Sequence, residues 1–299
     1  MKGRIISLLG PTASGKTKLS LEVASHFATE IISADSRQFY KELDIGVAKP
    51  SLQELNTIKH HFINSHSIHK PLSAGEFAKQ GLPFCLNFLE SKKELVLVGG
   101  SGLYADALLD GLDDLPHDKV LQKEINELYE VAGIDGLLAR INAIDESSLR
   151  KVDIHNPRRL IRLLELLILS KNKFENNTPV IDNQRNFSVE RFYINWNRQD
   201  LYDRINFRVD EMLKEGLENE VWRLIPYKNS RALQTVGYKE FFDYFDGELS
   251  RQDAISKIKQ HTRNYAKRQL TWLNKYDTIF VLDPYSNISL LNQVLEKLD

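Results

Sequence analysis

A chain of 299 residues with 40 Lys and Arg against 41 Asp and Glu carries a formal net charge of −1; its length allows a sizeable core, and its balance excludes a uniformly basic nucleic-acid-coating protein. The single cysteine, Cys85 in the apolar stretch LPFCLNFL, excludes an internal disulfide and a multi-cysteine zinc site. No apolar stretch approaches the length of a membrane span, and a strand and glycine-rich turn begin within ten residues of the start, so a soluble protein of the cytoplasm is expected.

In chain order, RIISLLG (4–10), EIISADS (30–36), ELVLVGG (94–100), RFYINW (191–196) and TIFVLD (278–283) read as short buried strands separated by helix-length segments. Such alternation predicts an α/β fold with a mainly parallel sheet flanked by helices. The first three runs end in Gly or Asp–Ser where the chain leaves the sheet, the edge at which doubly wound folds place ligands. From about 118 to 169 the apolar spacing turns helical, in KVLQKEINELYEVA, IDGLLARINAI and RRLIRLLELLIL, and a polar stretch then leads back to the sheet. The pattern predicts an all-helical insertion over 117–190 and a catalytic core built from 1–116 and 191–299, with further helices in the tail.

Gly10-Pro11-Thr12-Ala13-Ser14-Gly15-Lys16-Thr17 matches G-x-x-x-x-G-K-[ST] between a strand and a helix. In that arrangement the loop amides converge on phosphate, the helix N-terminus adds its positive end, Lys16 supplies a full charge, and Thr17 is placed to ligate Mg²⁺. The fold expected is therefore P-loop NTPase-like. A nucleoside triphosphatase would next show a strand ending in Asp, yet LVLV ends in Gly99-Gly100-Ser101-Gly102. The nearest acid is Asp35 in ADSRQFY, placed as a general base or a second metal neighbour. Arg204 and Arg208, four apart in DRINFRVDEML, share a helical face and could close over phosphate; spacing alone does not choose between them. His60-His61 lacks a carboxylate or cysteine at ligand spacing, which argues against a metal site there.

GPTASGKT, ADSRQFYKELDIGVAKP and VGGSGLY, followed in order by HHFI, NPRRLIR, RVDEMLKEGLENEV, ALQTVGYKEF and RNYAKRQLTWL, resemble the tRNA dimethylallyltransferases (tRNA isopentenyltransferases), of the bacterial type, over nearly the whole chain. The resemblance implies transfer of a dimethylallyl group from dimethylallyl diphosphate to N6 of the adenosine on the 3′ side of the anticodon, in tRNAs reading codons that begin with U. It implies that residues 10–17 hold the donor's diphosphate, that Mg²⁺ sits on Thr17, and that Asp35 is the base. It further implies contacts with the tRNA anticodon stem-loop from Asp35, Ser36, Arg37 and Gln38, from Ser101, from Lys123, Arg158, Arg159, Leu160, Ile161 and Arg162 in the insertion, from Gln234, Thr235, Gly237, Tyr238 and Lys239, and from Arg263, Lys267, Arg268 and Gln269. Ser101 stands where the family usually has a threonine, and Val47 replaces a commoner threonine. A monomer with no obligatory protein partner is expected. An adenylate isopentenyltransferase, a small-molecule or nucleotide kinase and an RNA-binding ATPase module are the alternatives; the arginine-bearing insertion and the missing strand-end Asp count against them.

Overall fold

The computed structural model describes residues 3–112, 118–171 and 185–298. The chain separates into two compact units, one formed by 1–111 and 184–299 and the other by 112–183.

In the first unit six parallel strands form one sheet. These are β1 (Gly3–Leu9), β2 (Ile31–Ser33), β3 (His60–His61), β4 (Glu94–Gly99), β5 (Phe187–Ile194) and β6 (Phe280–Leu282), in the order β3-β2-β4-β1-β5-β6. Five overlap the apolar runs, β5 starting four residues earlier than its run, at Phe187, whereas β3 has no such signature. It pairs Ile31 with His60 and Ile32 with His61 at the sheet edge, where two partly buried residues need no apolar pattern. The helices of this unit are α1 (Lys16–His26), α2 (Leu52–Thr57), α3 (Ala74–Ser91) and α4 (Gly102–Leu109) before the second unit. Both α2 and α3 start at reciprocal capping boxes, Ser51 with Glu54 and Ser73 with Glu76.

Because successive side chains of a strand point to opposite faces, β1 and β4 feed two cores. Ile5, Leu9, Leu95 and Leu97 pack with Phe77, Cys85, Ala105 and Leu108 of α3 and α4, and burial pushes the Cys85 thiol up to about 12. On the other face Ile6, Leu8, Val96 and Phe192 pack with Leu19 and Val23 of α1.

The second unit is helical. Its long helix α5 (Lys119–Asp145) is interrupted at Gly133, whose φ of 62° and ψ of −156° are non-helical, and α6 (Pro157–Lys171) follows. Ile125, Leu137, Ile141, Leu160 and Leu164 form its core.

After β5 the first unit continues with α7 (Arg198–Glu215), α8 (Leu217–Arg223), α9 (Lys239–Phe245), α10 (Arg251–Leu273) and, beyond β6, α11 (Leu290–Leu298). Val209, Val221, Phe241, Ile255 and Ile258 of α7 to α10 make a third core that also takes in Tyr40, Leu43 and Val47 from the stretch after β2. Among the described residues no helix is long and apolar enough to cross a membrane.

Candidate active site at the strand ends

The register aligns the ends of β2, β4 and β1: Ser33 stands beside Val98, and Gly99 beside Leu9. The three following turns, Ala34–Asp35–Ser36, Gly100–Ser101 and Gly10–Gly15, therefore meet at one edge. Glycine is needed at this junction. A Cβ on Gly99 would lie 2.4 Å from the Ala34 carbonyl oxygen, and one on Gly100 only 2.1 Å from Nε2 of Gln269.

The phosphate loop reaches its curvature through left-handed backbone at Ala13 and Gly15, with φ of 62° and 98°. Lys16 folds back over it, its Nζ donating to the Pro11 carbonyl at 2.6 Å and lying 3.5 Å from Ser14 Oγ. Burial lowers the Lys16 pKa to about 7, with Asp35 opposing the shift and Arg208 adding to it. Two charged groups from distant parts of the chain thus share the surroundings of Lys16.

Spacing left Arg204 and Arg208 equivalent, and their surroundings distinguish them. Arg204 is exposed; its Nε donates to the Ala13 carbonyl at 2.8 Å and its guanidinium lies 4.4 Å from the centre of the Trp196 ring. Arg208 is turned inward. Burial lowers its affinity for its proton, while Asp35 and then Glu215 raise it; at this depth a guanidinium still keeps its charge.

Asp35 is tied to its own turn by the Arg37 amide, which donates to Oδ1 at 3.1 Å. Beside it the Ser101 hydroxyl accepts the Ser36 amide and donates to Ser36 Oγ, both at 3.0 Å. Tyr265 closes this side. Burial and the Asp35 charge push its phenol up to about 12, with Ser101 opposing the shift, so it stays neutral.

The family model of IPP transferases matches residues 38–276. The tRNA dimethylallyltransferase of Christiangramia forsetii is 45% identical over 276 residues, covering 92% of this chain and 91% of the relative. That of Flavobacterium johnsoniae is 42% identical, covering 91% and 90%. The chain belongs to the IPP transferase family. Among solved structures, the tRNA isopentenylpyrophosphate transferase of Bacillus halodurans is 31% identical with a TM-score of 0.72, covering 99% of this chain and 94% of its own. A eukaryotic dimethylallyltransferase described as acting on tRNA is 26% identical with a TM-score of 0.75, covering 94% and 74%.

In this IPP transferase some residues singled out from sequence have their side chains committed inside the protein. Gln38 is 9% exposed; its Oε1 accepts from Ser33 and its Nε2 donates to the Val47 and Ala48 carbonyls. Gln269 braces two loops, accepting from the Thr12 amide and donating to the Gly100 carbonyl, both at 2.9 Å. Tyr238 and Leu160 are fully buried, each in the core of its own unit. Arg37 reaches across to the Ala232 carbonyl at 2.8 Å.

The other candidates are exposed or partly so, except Gly237, which is buried. Lys239 and Arg268 are exposed, the latter over the Tyr265 ring at 5.6 Å. Gln234 is exposed and donates to the Lys228 carbonyl. Thr235 and Gly237 form a turn in which Gly237 has a φ of 95° and its amide donates to Glu240. In the second unit Arg158 and Arg159 are exposed and Ile161 is partly buried. Arg162 pairs with the buried Glu165 at 2.6 Å, and Lys123 faces Glu127 at 3.7 Å.

Trp196 and Glu220 gave no signal in the sequence. The Trp196 indole donates to the Ser14 carbonyl at 2.8 Å and so steadies the phosphate loop from β5. Glu220, in α8, gathers three backbone amides of residues 44–46. Neither contact follows from a local pattern, because each joins segments more than 170 positions apart.

Proposed function

We propose that residues 10–17 hold the diphosphate of dimethylallyl diphosphate and that Asp35 removes a proton from N6 of the acceptor adenosine of tRNA, the one on the 3′ side of the anticodon. The observation that carries this reading is that Lys16 and Arg208 both feel the charge of Asp35 at the strand ends. A leaving-group site and a base thus meet in one place, with no acidic residue at the end of β4.

In the reaction the N6 lone pair forms a bond to C1 of the allyl group while the C1–O bond breaks, and the electron pair leaves with diphosphate. Negative charge grows on the departing oxygens, so donors aimed at them lower the barrier. The loop amides, Lys16 and Arg208 supply that stabilisation. The N6 nitrogen is a weak nucleophile, its lone pair delocalised into adenine, until the Asp35 carboxylate accepts its proton. The base leaves the anticodon-loop stack to reach this edge, which suits the position of Ser101, Tyr265 and Arg268 around Asp35. Gln38 and Tyr238 act by holding the loops in which they sit.

The Thr17 hydroxyl at the start of α1 takes no hydrogen bond among the described residues, and an oxygen donor there suits a hard divalent cation. Mg²⁺ bound at Thr17 would supply additional positive charge against the diphosphate oxygens.

Incubating the protein with unmodified tRNA, dimethylallyl diphosphate and Mg²⁺, then weighing the nucleosides, tests the reading: a prenylated adenosine is expected. Phosphoryl transfer from ATP without prenylation, or prenylation of free AMP in place of tRNA, would overturn it.

A further inference from the structure

Asp106 is a carboxylate set in an apolar run. Its neighbours in α4, Ala105, Ala107, Leu108 and Leu109, are all buried, and Asp106 itself is only 6% exposed. Taking a charge out of water is costly unless hydrogen-bond donors surround it. Among the described residues, the three side-chain donors that reach it all come from the end of α10 and the turn beyond. The Trp272 indole donates to Oδ2 at 3.1 Å, Lys275 donates to the same oxygen, and the Tyr276 hydroxyl donates to Oδ1 at 2.5 Å. Burial and the bond to Asp106 push the Tyr276 phenol up, so it keeps the proton it donates.

Leu270 and Leu273 also pack with Ala105 and Leu108. Such apolar contact brings α10 against α4 but does not fix its rotation, since hydrophobic burial has no direction. The bonds to Asp106 are directional, and they hold α10 on the face that meets the strand ends. At about 100° per residue, Tyr265, Gln269 and Trp272 lie within about 60° of one another around the helix, with Arg263 and Lys267 roughly half a turn away. α10 thus divides its polar residues between two faces. Trp272 sits against Gly102, where a Cβ would stand 2.3 Å from the indole. About one turn earlier, Gln269 accepts the Thr12 amide of the phosphate loop and donates to the Gly100 carbonyl. About one turn before that, Tyr265 is near enough to Asp35 and Ser101 for both to act on its phenol.

The placement of Gln269 leaves little tolerance. A rotation of α10 by about 10° carries a side-chain tip, about 5–6 Å from the helix axis, through roughly 1 Å. That is enough to break the 2.9 Å bond to Thr12.

We propose that Asp106 is a positioning residue for donor binding: by holding Trp272, Lys275 and Tyr276 it sets the rotation of α10, and so places Gln269 where it shapes the phosphate loop at Thr12. This rests on reading residues 10–17 as the diphosphate site. The side of α10 that carries Arg263 and Lys267 takes no part in it.

The test is calorimetry of inorganic pyrophosphate binding to the full chain. Asp106→Asn keeps the shape of the side chain and removes its charge; it should raise the pyrophosphate Kd about threefold to tenfold, the worth of about one hydrogen bond. In a Gln269→Ala background the same substitution should change Kd by less than about twofold, because the link it acts through is already cut. Tyr276→Phe, which removes one donor and leaves the carboxylate, is carried through the same two backgrounds and takes the place of Asp106→Asn if that variant does not fold. An unchanged Kd, or a rise of the same size with and without Gln269, overturns the inference, the second outcome marking Asp106 as a support of the fold alone. Lys16→Ala runs in parallel. If it leaves pyrophosphate affinity intact, the reading of the loop itself fails; if it weakens binding while Asp106→Asn does not, only the role of Asp106 fails.

Discussion

With its pKa drawn down to about 7 by burial, Lys16 is only part-charged in the free protein near neutral pH. A diphosphate favours the ammonium, so its pKa in the complex lies above that in the free protein. Affinity is then full below about pH 7 and falls as the pH rises above it. Calorimetry at about pH 8, in two buffers of different ionisation enthalpy, should register uptake of close to one proton per diphosphate bound; no uptake would mean that Lys16 is already fully charged. The second residue-scale outcome concerns Asp35. Asp35→Ala should lower the single-turnover prenylation rate by ~10²–10⁴ with tRNA affinity kept, the usual contribution of a positioned base. A wild-type rate would remove that role. Asp35 and Lys16 were legible in the sequence because a phosphate loop and a strand-end acid have local signatures. The choice of Arg208 over Arg204 was not: both stand on one helical face, and only packing against the sheet turns one inward.

At the scale of elements, α8 and the turn before α9 are bound to the stretch following β2 by one buried carboxylate. Glu220, 7% exposed, accepts the amides of Asp44, Ile45 and Gly46 at 3.2, 2.7 and 3.2 Å and the Tyr238 hydroxyl at 2.5 Å. Gly46 is required for this approach, since a Cβ there would lie 2.6 Å from the Tyr238 ring. Glu220→Ala leaves several buried donors without acceptors and should cost about 2–4 kcal/mol in urea unfolding, whereas Tyr238→Phe, which removes one hydroxyl, should cost about 1 kcal/mol. Equal costs would mean that the backbone amides find other partners. None of this was readable from GLENEV or DIGVAKP, in which Glu220 looks like one acid among several on a short helix. The short edge strand β3 escaped notice for a related reason: a polar pair of histidines becomes a strand only because β2 offers it an edge.

For the whole molecule, the helical unit of residues 112–183 carries Arg158 and Arg159 exposed at the start of α6, while Arg162 is engaged by Glu165. Their proposed role is to contact tRNA phosphates. The double variant Arg158→Ala/Arg159→Ala should weaken tRNA binding by about tenfold or more and lower the salt dependence by about two phosphate contacts. Pyrophosphate affinity, set by the loop in the other unit, should stay as it was. An unchanged salt slope would remove these arginines from the RNA surface.

Sequence by itself determined the α/β class, five of the six strands, the phosphate loop and the family, because buried strands, glycine turns and amphipathic helices impose patterns over a few neighbouring residues. Tertiary structure alone decided which arginine joins Asp35 and Lys16, that Gln269 braces the phosphate loop, and that α10 divides its polar residues between two faces. Those outcomes depend on side chains far apart in the chain meeting at the aligned strand ends, and the order of strands in a sheet is written in no local pattern.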